Sequence, residues 1–387
     1  MAPLRIAFLV PEMYGSPGGL AVFMCRIREV LSDYARTHDA EVDCISLNDL
    51  SDDPAVRPRS IAATRFSGCG RSKPAFVWRL IQGGMRRPYD FVVVGHLGQS
   101  PAAHWAKMLG GIGRYAITLC GQEAWERVGI LERAAAQSAT LIIGISRYTA
   151  SHFAAANGID QNRLRILPLS VAECRADLRT PPPHPSNANG EFSLLSVGRL
   201  AASEGGKGMD TLIAAMPAIK AAIANAHLSI VGGGDDLPRL QALANKLAVN
   251  GSVSFLGQVD DATLHRLYES CDVFAMPSRQ EGFGIVYLEA MVRGKPCLGG
   301  AHGGAPEVVR HGETGFVVPF GDVESLAEHA IRLARDPQLR QRMGNAAFRL
   351  VVEEYAYDCF AENLTAILQE LSCDVDAPAR GRGTRQP

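Results

Sequence analysis

Short apolar runs that end at a glycine or a proline recur along the chain, and many are followed by a stretch with helical spacing. In the first half the runs cover residues 4–10, 91–96, 115–120, 140–146 and 164–168. In the second half they cover residues 192–198, 227–232, 253–257, 271–276 and 296–299. The stretches with helical spacing include residues 21–34, 285–292, 328–357 and 360–371. Buried strands that alternate with helices predict an α/β fold with doubly wound parallel sheets.

The length of the chain and one polar break predict two domains. A chain of 387 residues is long for a single hydrophobic core. Residues 180–190 are polar and rich in proline, without periodicity, which is typical of a linker. We therefore expect a first domain over 1–175, a linker over 176–190 and a second domain over 191–354. The last residues, 373–387, are poor in apolar side chains and are predicted to be disordered.

Composition and charge exclude several classes of protein. The chain is 47% hydrophobic and 20% charged, with a net charge of −1, so a basic nucleic-acid-binding protein is not expected. No apolar run is long enough to span a membrane, and the first residues lack the pattern of a cleavable leader. The nine cysteines form no Cys-x-x-Cys pair and no Cys/His metal spacing. We expect a reduced, cytoplasmic protein without a structural metal.

The stretch over residues 276–296 carries the strongest chemical signal. A short apolar run ends at Pro277, Gly282 and Gly284 form a turn, and a helix follows. Amides at a helix start favour an anion such as phosphate. Glu281 and Glu289 flank this anion site at roughly 12 Å from each other along a helix axis. At this spacing, the two glutamates can bind hydroxyls at opposite ends of a ligand that has phosphate in its middle, and a nucleotide-sugar is such a ligand. The alternative is a solvated helix start with one buried, paired glutamate.

Two cations follow the first strand of the second half. Arg199 and Lys207 lie beside a glycine-rich turn, and this combination suits a diphosphate, because arginine forks to two oxygens and lysine acts as a point charge. The string is not a Walker loop, since Lys207 is followed by Gly208 rather than Ser or Thr. Taken alone, Lys207 is consistent with a surface lysine, but together with Arg199 and the stretch around Glu281 it favours a phosphate role.

Together these motifs resemble the donor-site signature of retaining GT-B glycosyltransferases, most closely glycosyltransferase family 4. The resemblance rests on Glu-Gly-Phe-Gly-Ile-Val-Tyr-Leu-Glu-Ala-Met over residues 281–291, the following Gly-Lys-Pro, and Gly-Arg-Leu with Lys-Gly-x-Asp upstream. It implies two Rossmann-like domains that face a central cleft, with helix 355–372 crossing back to the first domain. It also implies retaining transfer of a hexose from a UDP- or GDP-sugar to an acceptor hydroxyl, in polysaccharide or glycolipid biosynthesis. No metal and no cofactor are implied.

The resemblance assigns roles to individual residues. Arg199 and Lys207 would stabilise the departing diphosphate, and Glu281 would hold hydroxyls of the transferred sugar. Glu289 would hold the ribose hydroxyls. The remaining donor-binding positions that it implies are Gly18, Gly19, Gly257, Phe283, Gly284 and Ile285.

Loops after two strands of the first half supply candidates for the acceptor or sugar side: His96, Cys120 and Glu123. Family members often carry histidine where this chain has Cys120, so that histidine's role is not transferred. His96 would either substitute for it in part or cap its own strand.

Residues 54–89 contain eight basic side chains and no acidic one. The basic residues are Arg57, Arg59, Arg65, Arg71, Lys73, Arg79, Arg86 and Arg87. Phe76 and Trp78 interleave with them, a pattern that suits an anionic membrane face or a lipid-phosphate acceptor. A solvated basic surface is the alternative. The expected partners are therefore a nucleotide-sugar donor, a carbohydrate or lipid-linked acceptor and the inner membrane face, with no nucleic acid.

Three other functions remain open from sequence. A GT-B sugar-nucleotide epimerase would share the fold but needs acid and base carboxylates that the sequence does not identify. A phosphorylase-like enzyme needs a lysine-bound cofactor and a much longer chain. A catalytically silent GT-B binding module would keep the fold without the chemistry.

Overall fold

The computed structural model describes residues 2–15, 18–50, 64–171, 180–181 and 190–373. The chain divides into two compact units, residues 1–167 with 360–387, and residues 168–359. Most of the predicted linker over 176–190 and of the predicted tail over 373–387 lies outside the described residues. Residues 168–171 belong to the second unit, where the Val171 amide donates to the Tyr355 carbonyl at 3.3 Å.

The first unit is built on a seven-stranded, all-parallel sheet with the order β3-β2-β1-β4-β5-β6-β7. Its strands are Leu4–Val10 (β1), Ala40–Ser46 (β2), Thr64–Gly68 (β3), Tyr89–Val94 (β4), Ile112–Leu119 (β5), Leu141–Gly144 (β6) and Leu164–Ile166 (β7). Its helices are Gly19–Thr37 (α1), Lys73–Arg86 (α2), Ser100–Met108 (α3), Ile130–Ser138 (α4) and Arg147–Asn157 (α5). In β1, Phe8 and Leu9 point to opposite faces and both are fully buried, so the sheet is covered on both sides.

The second unit is a six-stranded, all-parallel sheet with the order β10-β9-β8-β11-β12-β13. Its strands are Phe192–Val197 (β8), Ala226–Val231 (β9), Val253–Gly257 (β10), Val273–Met276 (β11), Cys297–Gly300 (β12) and Gly315–Val318 (β13). Its helices are Met209–Ala222 (α6), Leu237–Lys246 (α7), Asp261–Ser270 (α8), Ile285–Met291 (α9), Ala305–Val308 (α10), Val323–Arg335 (α11) and Pro337–Glu354 (α12).

Strand order reverses once in each sheet. In the first unit the chain moves outward from β1 to β3 and then restarts on the other side of β1 with β4. In the second unit the same reversal lies between β8 and β11. Loops that leave the carboxyl ends of two such strands diverge to opposite faces of the sheet and leave a crevice, which is where open α/β sheets bind ligands.

The single helix predicted over 328–357 is wrong. The structure has α11 and α12, separated at Asp336. Pro337 has no amide hydrogen to continue the first helix, and it occupies the first position of the second. The Asp336 carboxylate accepts a hydrogen bond from the Leu339 amide at 2.8 Å, which caps the new helix.

Most of the last helix, Tyr357–Cys373 (α13), belongs to the first unit, which includes the chain from Phe360 onward. Phe360 packs edge-to-face on Phe23 of α1, with ring centroids 5.9 Å apart. The Arg165 Nε donates to the Glu370 carboxylate at 2.8 Å. Among the described residues, none of the helices combines the length and the apolar character that crossing a bilayer requires.

Helix α2 corrects the predicted pattern of the basic segment. Phe76 and Leu80 are buried, at 3% and 0% exposure, because they lie on the stripe that faces the sheet. Trp78 is 60% exposed on another side of the helix. Phe76 therefore belongs to the core and does not share a surface with the basic side chains. Arg57 and Arg59 lie outside the described residues.

Candidate functional site

The loop after β8 is fastened to the loop after β11, its neighbour in the sheet. The Gly206 carbonyl accepts hydrogen bonds from the Arg279 amide at 2.6 Å and from the Ser278 hydroxyl at 3.1 Å. Gly208 has φ +77°, and a Cβ there would lie 2.3 Å from the Pro277 carbonyl oxygen. Only glycine fits this approach, so the turn fixes the direction in which Lys207 leaves the backbone.

Lys207 and Glu281 meet at the crevice where strand order reverses. The Lys207 Nζ lies 3.4 Å from the Glu281 Oε2, and the two side chains are 23% and 16% exposed. The Lys207 stem crosses Gly198, where a Cβ would lie 3.3 Å from its Cδ. Arg199, which is exposed, lines the same small depression as Lys207. The structure thus brings the three predicted catalytic residues to the carboxyl ends of β8 and β11.

A second glycine turn supports the Glu281 backbone. The Gly304 amide donates to the Glu281 carbonyl at 2.7 Å. Gly303 has φ +71°, and a Cβ on it would lie 2.4 Å from the same carbonyl oxygen. The loop after β12 therefore packs backbone against backbone on the loop after β11, which holds the Glu281 main chain in place.

Helix α9 begins where the sequence predicted it. Gly284, at φ +92°, is its N-cap residue and Ile285 its first residue. Phe283 is only 3% exposed and packs edge-to-face on Tyr355, with centroids 5.6 Å apart. The predicted donor-binding role of Phe283 can therefore rest only on its backbone, because its side chain belongs to the core.

Glu289 is held by a residue that the sequence did not single out. The Tyr268 hydroxyl, from α8, donates to the Glu289 Oε2 at 2.7 Å. Burial, reinforced by the Glu289 charge, raises the pKa of Tyr268 well above its usual value, so its proton stays in place as the donor. Arg293 donates to the Glu289 carbonyl at 2.7 Å, and its guanidinium lies 5.5 Å from the Tyr268 ring centroid. The local sequence around Tyr268 does not predict this contact, because the contact depends on how α8 packs on α9.

Gly257 ends the edge strand β10 with φ +66°. Its carbonyl accepts the Gly232 amide at 2.8 Å. The hydrogen bonds of the described residues do not link it to Glu281 or Glu289, so its predicted place near the nucleotide base stays a prediction.

In the first unit, Gly18 caps α1 and Gly19 is its first residue, so the predicted glycine pair stands at a helix N-terminus. The preceding loop is held by Asp49, which sequence analysis missed. Its carboxylate accepts the Met13 amide at 2.8 Å and the Tyr14 amide at 3.1 Å. Because Asp49 follows β2, only the pairing of β1 with β2 brings it to this loop.

His96, Cys120 and Glu123 come together at the ends of β4 and β5. The His96 Nε2 lies 3.9 Å from the Glu123 Oε1, which also accepts the Cys120 amide at 2.6 Å. The His96 Nδ1 accepts the Gly98 amide at 3.1 Å, so this histidine caps its own turn. Burial raises the pKa of the Cys120 thiol well above its usual value, and the neutral thiol donates to the Gly95 carbonyl at 3.4 Å. Cys120 therefore lacks the lowered thiol pKa that a reactive thiolate requires.

Residues 182–350 match the sequence model of the family described as Glycosyl transferases group 1. The match spans 169 of the 387 residues, less than half of the chain. The matched segment contains Arg199, Lys207, Glu281 and Glu289, so the resemblance predicted from these motifs is confirmed.

Two proteins with sequences similar to this chain are named as mannosyltransferases. A GDP-mannose-dependent alpha-(1-6)-phosphatidylinositol monomannoside mannosyltransferase of Mycobacterium tuberculosis (strain CDC 1551 / Oshkosh) is 35% identical over 244 residues, covering 58% of this chain and 60% of the relative. A GDP-mannose-dependent monoacylated alpha-(1-6)-phosphatidylinositol monomannoside mannosyltransferase of Corynebacterium glutamicum is 42% identical over 170 residues, covering 42% of this chain and 44% of the relative. The matches thus span about half of the length of these relatives.

Solved structures extend the likeness to both units. The crystal structure of Anabaena Alr3699/HepE in complex with UDP and glucose has a TM-score of 0.73 at 20% identity, covering 95% of this chain and 99% of that one. At this identity the likeness shows the fold alone. With two doubly wound parallel sheets, the predicted GT-B fold is confirmed.

Proposed function

We propose that the protein transfers a hexose from a nucleoside-diphosphate sugar to an acceptor hydroxyl, with retention of configuration. The observation that carries this proposal is the meeting of Lys207 and Glu281 at the crevice between β8 and β11, with Arg199 on the same depression. A cationic wall for a diphosphate and a carboxylate for sugar hydroxyls then lie side by side.

In the proposed reaction, the bond between the sugar C1 and the diphosphate oxygen breaks. The acceptor oxygen forms the new bond to C1 on the same face, and its proton passes to the departing diphosphate. Arg199 and Lys207 stabilise the charge that develops on that diphosphate. Glu281 accepts hydrogen bonds from sugar hydroxyls, and Glu289, oriented by Tyr268, accepts them from the ribose. Neither carboxylate acts as a nucleophile.

We further propose GDP-mannose as the donor. Both mannosyltransferase relatives are named as GDP-mannose-dependent, and the family match contains all of the proposed diphosphate and ribose contacts. UDP-sugars are the alternative. The same relatives are named for phosphatidylinositol monomannoside, which favours a lipid-linked acceptor with exposed sugar or inositol hydroxyls.

Nucleotide release tests the proposal. The protein is incubated with GDP-mannose or UDP-glucose, each with EDTA and a phosphatidylinositol acceptor, and free nucleoside diphosphate is measured. We expect GDP from GDP-mannose, and activity that survives chelation because Arg199 and Lys207 supply the positive charge. Release of UDP alone would replace the donor assignment. Conversion of the donor sugar into its epimer without nucleotide release would indicate an epimerase. The absence of any reaction with either donor would favour a binding module without catalytic activity.

Tyr268→Phe is expected to raise the KM for the donor about tenfold while kcat changes little, because one charge-assisted hydrogen bond that orients Glu289 is lost. Phenylalanine keeps the ring beside Phe274, whose centroid lies 5.8 Å away. The measurement is steady-state kinetics with the natural donor and with a 2′-deoxyribose analogue. The effect should shrink with the analogue if Tyr268 acts through Glu289. An equal rise in KM for both donors would assign the effect to general packing.

We also propose that the first unit docks on the membrane that carries the acceptor, through one flank of α2 and the end of α3. Trp78 and Met85 are 60% and 75% exposed on that flank. Met85 and Leu109 line one shallow apolar crevice between the two helices. Trp105 and Met108 of α3 are 49% and 66% exposed. Exposed aromatic and aliphatic side chains of this kind suit insertion at a lipid interface.

The Trp78→Ser, Met85→Ser double variant is expected to bind lipid vesicles at least tenfold more weakly than the natural protein. Burying one large apolar side chain contributes roughly 1.5–3 kcal/mol to the free energy of membrane binding. This apolar contribution does not depend on the salt concentration. The triple variant Arg79→Ser, Arg86→Ser, Arg87→Ser should instead lose about 1 kcal/mol of membrane-binding free energy per residue, and this electrostatic contribution is weakened by salt. The measurement is co-sedimentation with anionic vesicles at two ionic strengths.

Leu50→Ser with Leu256→Ser is the matched control, because both leucines are exposed and lie on neither α2 nor α3. Its binding should equal that of the natural protein. Equal binding by all variants would leave α2 as a solvated surface.

A further inference from the structure

A polar pocket lies between α2 and the sheet of the first unit. Its volume is about 480 Å³, within the range of small-molecule sites. Arg5 and Tyr89, near the starts of β1 and β4, contribute to its wall. The loops that carry Gly18 and His96 leave the opposite ends of the same two strands. The pocket is therefore separate from the candidate residues at the carboxyl ends of this sheet.

The floor of the pocket is a closed network of charges. Arg65 donates to the Asp43 carboxylate through Nε at 2.7 Å and to the Glu41 carboxylate through Nη2 at 3.0 Å. Arg5 donates to Asp43 at 3.1 Å, and the Tyr89 hydroxyl donates to it at 2.9 Å. Both carboxylates of the pocket are thus already paired with guanidinium groups, so they do not neutralise the remaining arginines of the pocket.

The wall formed by α2 carries positive charge in excess of this network. Arg79, Gln82 and Arg86 recur at intervals of three and four residues, which places them on one flank of the helix. Neither Arg79 nor Arg86 lies within ion-pair distance of any carboxylate that the structure describes. In total, five arginines (Arg5, Arg65, Arg79, Arg86 and Arg87) line a pocket that holds two carboxylates. This flank adjoins the apolar one that carries Trp78 and Met85, because Gln82 lies four residues after Trp78 and three before Met85.

We propose that this pocket binds a phosphate group, carried as a monoester or a diphosphate, with Arg79 and Arg86 as its main ligands. A guanidinium presents paired donors that match phosphate oxygens, and two of them reach the pocket from positions about two turns apart on one helix. Ser67 and Gln82 line the same pocket and supply polar groups for neighbouring hydroxyls. The ligand is a soluble phosphate ester or the headgroup of a phospholipid. The site does not depend on the proposed sugar transfer, because it shares no residue with the donor set.

Calorimetric titration with inorganic pyrophosphate tests the soluble source. It is done in an Arg199→Ala, Lys207→Ala background, so that the proposed diphosphate site of the second unit does not contribute. We expect saturable binding that Arg79→Gln with Arg86→Gln weakens at least tenfold. Arg79→Lys with Arg86→Lys should give an intermediate affinity, because the charge remains and the paired donors are lost. These arginines are exposed, so melting temperatures should stay unchanged.

Arg342→Gln with Arg349→Gln is the matched control, since it removes two exposed arginines of α12 in the second unit. It should bind pyrophosphate as the unsubstituted background does. Equal affinity of the pocket variant and the control would overturn the proposal.

A second arm distinguishes the lipid source. Phosphatidylcholine vesicles are compared with vesicles that also contain phosphatidic acid. Binding that requires phosphatidic acid, is lost in the Arg79→Gln, Arg86→Gln variant and is displaced by pyrophosphate would assign the pocket to a lipid headgroup. Binding of soluble pyrophosphate without a preference for phosphatidic acid would assign it to a soluble ester. No Arg79- and Arg86-dependent binding in either arm would overturn the proposal.

Discussion

Replacing Lys207 by alanine is expected to lower kcat by about 10²- to 10³-fold, with a smaller change in the KM for the donor. A cation that is already in place where charge develops on the departing diphosphate acts mainly in the transition state, and one such group contributes about 2.7–4 kcal/mol. Lys207 is in place because the Gly208 turn and its contact with Glu281 at 3.4 Å fix its position. The measurement is nucleotide release at saturating donor.

Two controls accompany this variant. Lys246→Ala removes an exposed lysine at the end of α7 and should leave kcat unchanged. Lys207→Arg retains the charge and should recover part of the activity. A Lys207→Ala protein with full kcat and an unchanged melting temperature would remove this residue from the chemistry and would refute the proposed mechanism.

Replacing Glu289 by alanine is expected to raise the dissociation constant for the donor by about 10- to 150-fold, with kcat much less affected. A ribose contact is equally present in the ground and transition states, so its loss appears in binding. One charge-assisted hydrogen bond contributes about 1.5–3 kcal/mol, which gives this range. The measurement is calorimetric binding of GDP-mannose together with steady-state kinetics.

The Glu289 variant also removes the acceptor of the Tyr268 hydroxyl, and a buried hydroxyl without a partner costs about 1–3 kcal/mol of folding free energy. A Tyr268→Phe, Glu289→Ala double variant removes both partners and should regain part of that stability without regaining affinity. Melting temperatures therefore separate the structural effect from the binding effect. Unchanged affinity in the Glu289→Ala protein would exclude this residue from the donor site.

Three unpredicted strands and one helix boundary show where pattern reasoning failed, and one of these strands is the four-residue β13. β2 and β3 were not predicted, because β2 places Glu41 and Asp43 on one face and β3 carries Arg65 and Ser67 in five residues. These strands form the edge of the first sheet, where the polar pocket replaces a fully apolar layer. The break between α11 and α12 was missed although Asp336 and Pro337 signalled it, since apolar spacing continues across the break.

The sequence by itself determined the fold class, the strand–glycine–helix units and the identity of most charged residues at the strand ends. This follows from local physics: a parallel sheet buried on both faces needs continuous apolar runs, and a turn at positive φ, such as the one at Gly284, selects glycine. The family resemblance depended on the same local strings.

Only the tertiary structure decided which of these residues meet. The contact between Lys207 and Glu281 joins positions 74 apart, and it exists because β8 and β11 are neighbours in the sheet. The support of Glu289 by Tyr268 depends on how α8 packs on α9. The arginine pocket likewise collects side chains from four strands and a helix. Strand order and helix packing are set by the burial of the whole core, so no local pattern encodes these contacts.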